Sequence, residues 1–290
     1  METIGNQKIW SFFDDSADSR PASNTAIRSN SGHTVGRFVE LASKIAELQF
    51  RNRDYVLLFR GQRSDYLNRD GNSSLKPSLF RSNGFERNPT PEILRVRFEK
   101  LKQAAQTLVS HYRKEGLLGF DRLSRHRILQ WSILQHYRVC DTPLLDVTHS
   151  LRIAATFASE QAQTEAFVFV LGVPNLSGAI TASSEAGLQI VQLSSACPPS
   201  AMRPHLQEGY LLAEYPDIAD FEQKIHYPHY EIDFGRRLVA KFRFNPQTFW
   251  TSDTFPRIEH KALYPTGTRD PLEALMSELR MQFSPDGRLV

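Results

Sequence analysis

A chain of 290 residues with 40% hydrophobic and 11% aromatic residues is long and apolar enough to bury one large core or two small ones. It has no run of about 18 apolar residues and no N-terminal segment typical of a secretory signal, so we expect a cytoplasmic protein without a membrane span. The net charge of +3 is too small to make nucleic acid the first candidate partner, and Cys140 and Cys197 stand in no CxxC pair, which argues against a disulfide framework or a thiolate zinc site.

The N-terminal segment is polar. Residues 14–32 are rich in Ser, Asn and Asp and lack periodic apolar positions. Such a composition is typical of a flexible segment. The sequence therefore predicts a flexible lead-in over residues 1–33 and an ordered domain over residues 34–290.

The next part of the chain is mainly helical. Apolar residues recur every three or four positions over 35–50 and predict an amphipathic helix, and the apolar run 55–60 predicts a buried strand. Thr90-Pro91-Glu92 combines an N-cap hydroxyl, a proline and an acid, which is typical of a helix start. Further helices are predicted at about 122–137 and 150–158.

The second half changes to short β-rich runs at 166–171, 188–193, 210–213 and 238–244, separated by Gly, Pro and Ser. A final helix is predicted after Asp270-Pro271-Leu272-Glu273, which has the pattern of a capping box. Strands and helices do not alternate regularly, so the predicted fold class is α+β, with a helical first half and a mainly antiparallel sheet.

The first candidate site lies at the end of the predicted strand, in Phe59-Arg60-Gly61-Gln62. Arginine stays charged and is costly to bury unless it meets a carboxylate, a phosphate or carbonyl oxygens. The glycine would let a flat amide ligand lie against the backbone. The structural alternative is an arginine that ends a strand and forms an ion pair with a helix.

The second candidate site is the segment from His136 to Ser150. Asp146, Thr148 and Ser150 alternate, so they would share one face of an extended strand, next to a helix N-terminus that suits an anion. Thr148 or Ser150 could instead cap that helix, and Asp146 could be a buried partner of Arg60.

The third candidate site is Gln207-Glu208, just before a strand. In an extended chain these two side chains point to opposite faces, so one of them could face a cleft. A carboxylate there would favour positive charge at an anomeric carbon. The alternative is an exposed glutamate.

Two other groups carry weaker signals. His226, His229 and Glu231 are ligand types, but they lie in a segment with a proline and without an HExxH pattern, so no metal site is predicted. Arg122, Arg125, His126 and Arg127 form a basic cluster that could face a phosphate backbone, although such clusters are more often a solvated helix face.

Together these segments resemble the FRG domain. The resemblance rests on Phe59-Arg60-Gly61, on residues 75–81, on Gln135-His136-Tyr137, on the Leu-Leu-Asp-x-Thr-x-Ser pattern at 144–150 and on the segment from Arg203 to Tyr210. It spans about residues 35–280. This chain departs from the family at Arg138-Val139-Cys140-Asp141, where Gly-hydrophobic-Pro-Thr is usual, and at Val147, where Trp is frequent.

The resemblance implies a function, because the order of these segments is similar to that of the NAD site in ADP-ribosyltransferases. It implies an ADP-ribosyltransferase-like cleft in which NAD is the substrate, with Arg60, Gln207 and Glu208 as catalytic candidates. The residues implied to bind or brace NAD are Arg60, Gly61, Gln62, His136, Asp146, Thr148 and Ser150. The implied partners are an acceptor protein or nucleic acid and a possible antitoxin, for a toxin or anti-phage effector. The alternatives are a non-catalytic module that binds a nucleotide or nucleic acid, and a different transferase or hydrolase acting on a nucleotide.

Overall fold

The computed structural model describes residues 3–4, 8–14, 16–82, 89–160, 162–218, 220–224, 232–251, 254–265 and 270–283. The strands are β1 (Ile9–Ser11), β2 (Arg20–Ala22), β3 (His33–Thr34), β4 (Val56–Gln62), β5 (Leu145–Thr148), β6 (Ala166–Val173), β7 (Ile180–Ser183), β8 (Leu188–Gln192), β9 (Gly209–Glu214) and β10 (Leu238–Phe244). The helices are α1 (Asn24–Ser29), α2 (Phe38–Arg51), α3 (Pro91–Lys114), α4 (Phe120–Arg125), α5 (Arg127–His136), α6 (Leu151–Ser159), α7 (Leu193–Ala196), α8 (Met202–Leu206), α9 (Phe221–Lys224), α10 (Pro246–Phe249), α11 (His260–Leu263) and α12 (Pro271–Phe283). Short 3-10 helices cover Ser78–Phe80 and Phe234–Arg237.

The fold is a mixed α/β fold around an eight-stranded sheet with the order β3-β10-β6-β4-β5-β9-β8-β7. Within this sheet, β3 runs parallel to β10 and the other neighbouring strands are antiparallel. Strands β1 and β2 form a separate antiparallel pair. The prediction of a mainly antiparallel sheet is therefore confirmed.

Both faces of the sheet are covered. Along β9, Leu212 belongs to a core with α2 and β10, whereas its neighbour Leu211 belongs to a second core with α3, α5 and α12. Successive side chains of a strand point to opposite faces, so the two cores lie on opposite sides of the sheet. The first core is built around side chains such as Leu41 and Phe242, and the second around Leu101 and Leu134.

Most of the predicted elements form where the local pattern places them. Thr90 caps α3 by accepting a hydrogen bond from the backbone N–H of Ile93, and Asp270 caps α12 through the N–H groups of Leu272 and Glu273. The helix predicted at 122–137 is instead two helices, because the backbone is extended at His126. Both α4 and α5 contact α3.

The N-terminal segment differs from the predicted flexible lead-in. Its described residues form β1, β2, α1 and β3. Ser23 caps α1, and the buried Asn24 donates hydrogen bonds to the carbonyls of Gly235 and Leu238. Ser23 and Asn24, two of the polar residues that suggested a solvated segment, instead satisfy backbone groups of α1 and of the chain at the start of β10, which stabilises the segment.

Among the described helices, none is both long and apolar enough to cross a membrane.

Candidate functional site

The candidate site lies where two neighbouring strands separate. Strand β4 pairs with β6 along its whole length, but it pairs with β5 only at Phe59 and Thr148. Beyond that pair the ladder between β4 and β5 stops, although β5 continues to pair with β9. The Arg60 side chain connects the two strands beyond that pair, because its Nη1 donates a hydrogen bond to the backbone oxygen of Asp146 at 2.5 Å.

A cavity of about 190 Å³ occupies the gap. The charged side chains that line it among the described residues are Arg60, Arg138, Asp146, Glu160 and Arg203. We call this cavity and its lining the cleft. Its lining carries three arginines against two carboxylates, so the cleft has an excess of positive charge, which suits an anionic ligand.

Asp146 is the carboxylate of the cleft that interacts electrostatically with two of its arginines, Arg60 and Arg203. Its side chain is 32% exposed, and its Oδ2 lies 3.4 Å from Nδ1 of the fully buried His136. Burial alone would raise the pKa of Asp146, but His136, Arg60 and Arg203 hold it below its usual value. Burial lowers the pKa of His136, and Asp146 opposes that shift only in part. At neutral pH an ionised carboxylate therefore faces a neutral imidazole.

Arg203, in α8, is another charged residue of the lining and is 6% exposed. Its guanidinium lies over the rings of Tyr137 and Tyr264, at 5.2 and 4.9 Å from the ring centres, and its Nη1 lies 3.7 Å from Glu273. Its backbone N–H donates to Asp270, the residue that caps α12. The cap of the last helix thus also fixes the position of this arginine.

Tyr264 also lines the cleft, directly after α11. Its hydroxyl accepts a hydrogen bond from Nη2 of Arg138 at 3.1 Å. The ring of His260 stacks on it with centroids 4.3 Å apart, and Nδ1 of His260 lies 2.8 Å from Glu160. Glu160 therefore already has a partner within the protein.

Several buried polar atoms around the cleft lack a hydrogen-bond partner among the described residues. They are Nε of Arg60, Nε of Arg203 and both ring nitrogens of His136. The contact of His136 with Asp146 is close enough for an electrostatic interaction but does not have hydrogen-bond geometry. Buried polar groups are usually paired, so such a concentration around one cavity is typical of a site that binds water or a ligand.

The glycine at 61 has a structural role. A Cβ atom there would lie 1.9 Å from the carbonyl oxygen of Ala154 and 2.6 Å from the backbone nitrogen of Ala158. Gly61 lines the cleft, but the absence of a side chain makes room for α6. The sequence had instead suggested that this glycine makes room for a flat ligand. Gln62 follows in β4 outside the lining of the cleft.

Thr148 is the last residue of β5, and Ser150 directly precedes α6. The Thr148 hydroxyl donates to the carbonyl of Gln207 at 2.8 Å and accepts from the N–H of Ser150 at 3.1 Å. It is buried and its hydrogen bonds lie within the protein, although Thr148 lines the cleft. Ser150 occupies the N-cap position without a side-chain cap bond and does not line the cleft.

The alternation of side chains along a strand requires an extended backbone, but the backbone at Gln207 and Glu208 is not extended. Gln207 is the C-cap of α8, and Glu208 has a left-handed backbone with φ of 45°. Gln207 is buried and lines the cleft, but its Nε2 donates to the carbonyl of Leu263 at 2.7 Å. Glu208 is exposed and does not line the cleft. The pair therefore contributes an amide to the cleft and no carboxylate.

Three further lining residues, Arg138, Glu160 and Tyr264, had no sequence signal strong enough to assign them to the site. Arg138 stood only as a departure from the usual pattern after His136-Tyr137.

The basic cluster at 122–127 lies outside the cleft, where Arg127 pairs with Asp217 and Arg122 donates to the carbonyl of Ser195. The segment with His226, His229 and Glu231 lies outside the described residues.

Part of the chain matches a known protein family. Residues 56–166 match the family model of the FRG domain, and this range includes β4, β5 and α6 around the cleft. The chain has no match among the curated proteins or among the solved structures with which it was compared.

Proposed function

Because the chain contains an FRG domain at residues 56–166, we propose that the cleft binds NAD and that the protein transfers the ADP-ribose group of NAD to an acceptor macromolecule. The observation that carries the proposal is the arrangement of Arg60, Arg138 and Arg203 around the ionised Asp146 in a single cavity. NAD combines a diphosphate with a ribose that becomes positively charged in the reaction, so a site for it needs both kinds of group.

The residues present fit this ligand. Guanidinium groups bind phosphate oxygens with two parallel hydrogen bonds, and Arg60, Arg138 and Arg203 line the cleft. The cavity of about 190 Å³ is smaller than the roughly 300–1,000 Å³ of pockets that enclose a drug-sized ligand. It therefore suits one end of a dinucleotide, with the other end outside.

The chemistry requires stabilisation of positive charge. The bond between ribose C1′ and the nicotinamide nitrogen breaks, its electron pair leaves with nicotinamide, and the acceptor then bonds to C1′ and releases a proton. A fixed negative charge near C1′ lowers the energy of the charged transition state.

Asp146 is the residue we propose for that role, in place of Gln207 and Glu208. Of the two carboxylates in the described lining of the cleft, Glu160 already pairs with His260. Asp146 is kept ionised by its surroundings, and the buried His136 behind it limits the positions that its side chain can take.

The alternative is a module that binds a nucleotide without turnover. Two observations favour this alternative. The side-chain amide of Gln207 is hydrogen-bonded to the carbonyl of Leu263, and Glu208 does not line the cleft. These were the two positions implied by the resemblance for the catalytic group.

The test is to incubate the purified protein with NAD labelled in its adenylate part, together with cell lysate, and to measure nicotinamide release and label transfer. We expect both from the wild-type protein, and a rate about 10²–10³-fold lower from Asp146→Asn, by analogy with removal of one preorganised charge-stabilising group. Asp70→Asn, which changes an exposed loop aspartate, is the control. Saturable NAD binding without release of nicotinamide would favour the binding module, and no binding at all would remove both.

A further inference from the structure

Arg138 lies just beyond the end of α5. The N–H of Arg138 bonds to the carbonyl of Gln135, and the N–H of Val139 bonds to that of Leu134. This pair of bonds is the Schellman pattern of a helix C-terminus, in which the residue in the position of Arg138 is usually glycine.

The backbone of Arg138 has the left-handed conformation that this position requires, with φ of 56°. A side chain in that conformation is crowded against the following carbonyl, so every residue other than glycine raises the free energy of the folded state. A positive charge at a helix C-terminus is favourable, but a lysine or a histidine would supply it as well as an arginine. A side chain kept in a strained conformation is a reason to look for a role outside the helix end.

Arg138 adds a positive charge to a cleft that already holds two other arginines. Its side chain lines the cleft together with Arg60 and Arg203, and no described carboxylate forms an ion pair with it. Among the described residues, its guanidinium donates a hydrogen bond to the neutral hydroxyl of Tyr264 and lies 5.6 Å from the centre of that ring. Three guanidinium groups therefore converge on one cavity, and each repels the others.

An anion in the cleft would relieve this repulsion. The Tyr264 contact holds Nη2 of Arg138, which leaves other N–H groups of the guanidinium for a ligand. We propose that Arg138 binds the diphosphate group of a nucleotide ligand and that its binding role, and not the stability of the fold, accounts for an arginine at this position. The proposal rests on the proposed function in that both place the ligand in the same cleft, but it does not require turnover of NAD.

The test compares stability with anion binding in Arg138→Gly. Glycine accepts the left-handed backbone, so we expect the variant to fold and its Tm to rise by about 2–4 °C. Its affinity for ADP-ribose and for inorganic pyrophosphate, measured by calorimetry, should fall about 10- to 100-fold, as expected for the loss of hydrogen bonds to a charged group. Adenosine, which has no phosphate, should bind both proteins equally.

Two further variants act as controls. Arg125→Ala removes the charge of an exposed arginine outside the cleft and should leave pyrophosphate binding unchanged. Arg138→Lys keeps the charge without the planar fork and should bind more weakly than the wild-type protein. ADP-ribose binding more tightly than pyrophosphate would identify the diphosphate as part of a nucleotide.

The proposal is wrong if Arg138→Gly is less stable than the wild-type protein, because the arginine would then support the fold. It is equally wrong if the variant gains stability but binds pyrophosphate as before, or if the wild-type protein binds neither anion. If ADP-ribose binds through Arg138 while NAD is not cleaved, the proposed transferase activity fails and this inference stands.

Discussion

Arg60 donates a hydrogen bond to the backbone oxygen of Asp146, 86 residues later in the chain, at the point where β4 and β5 separate. The bond satisfies a carbonyl that the interrupted ladder leaves without a strand partner from β4. Arg60 also lines the cleft, so the same side chain both connects the two strands and belongs to the proposed binding site. Burial lowers the pKa of Arg60 to about 10, and the side chain is still charged at neutral pH.

The double role of Arg60 predicts the effect of its removal. Arg60→Ala should reduce nicotinamide release to background and lower the free energy of unfolding by about 1–3 kcal/mol, because the Asp146 carbonyl loses its donor. Arg60→Lys should be nearly as inactive, since lysine lacks the planar fork. Turnover assays and urea unfolding measure the two effects, with the exposed Arg63→Ala as control. Full activity of Arg60→Ala would show that the arginine serves the fold alone.

Substitution of Thr148 tests whether its hydroxyl stabilises the fold or contacts a ligand. Thr148→Val keeps the volume of the side chain but leaves the carbonyl of Gln207 and the N–H of Ser150 without their partner. We expect a loss of about 1–3 kcal/mol in the free energy of unfolding, together with reduced activity. Thr148→Ser should restore both. An active-site contact would instead appear as lost activity at an unchanged urea midpoint.

Gln207 and Glu208 should differ strongly in their effects. Gln207→Ala leaves the carbonyl of Leu263 unpaired, and Gln207→Glu places a carboxylate against that carbonyl, so both should lower turnover and stability. Glu208→Ala should keep turnover within a few-fold of the wild-type rate, because the exposed side chain does not line the cleft. Steady-state kinetics with NAD measures turnover in each variant. If Glu208→Ala were inactive at normal stability, Glu208 would be the catalytic acid.

The environment of His136 predicts a pH dependence of stability. Burial lowers its pKa in the folded protein, whereas the unfolded chain takes up a proton on this histidine near its ordinary pKa of about 6.5. The unfolded state then binds more protons, so the free energy of unfolding should decrease as the pH falls below about 6.5. Asp146, with a lowered pKa, adds a further loss only at pH below about 4.

Urea unfolding at pH 7, 6 and 5 measures this slope. His136→Leu should flatten it, and His111→Gln, which changes a histidine on α3 that is not buried, should leave it as in the wild-type protein. An unchanged slope in His136→Leu would mean that His136 does not titrate differently in the two states.

The sequence alone determined the elements whose causes are local. The apolar periodicity of α2 and the caps of α3 and α12 depend on neighbouring residues, so their positions could be predicted. The same reasoning failed at His126, where one apolar pattern spans two helices, and in the N-terminal segment, where polar side chains pair with distant backbone groups.

The cleft depended on tertiary structure. Local patterns identified Arg60, Asp146 and Thr148 as candidates, but periodicity reports only which residues are buried and not where a ladder between two strands stops. Tyr264 enters the cleft because α11 contacts α8, although α11 lies more than 100 residues after β5 in the chain. The α8 turn, and not strand alternation, sets the direction of Gln207, and the backbone of α6 explains Gly61. These features arise from contacts between segments that are distant in sequence, so no local sequence pattern predicts them.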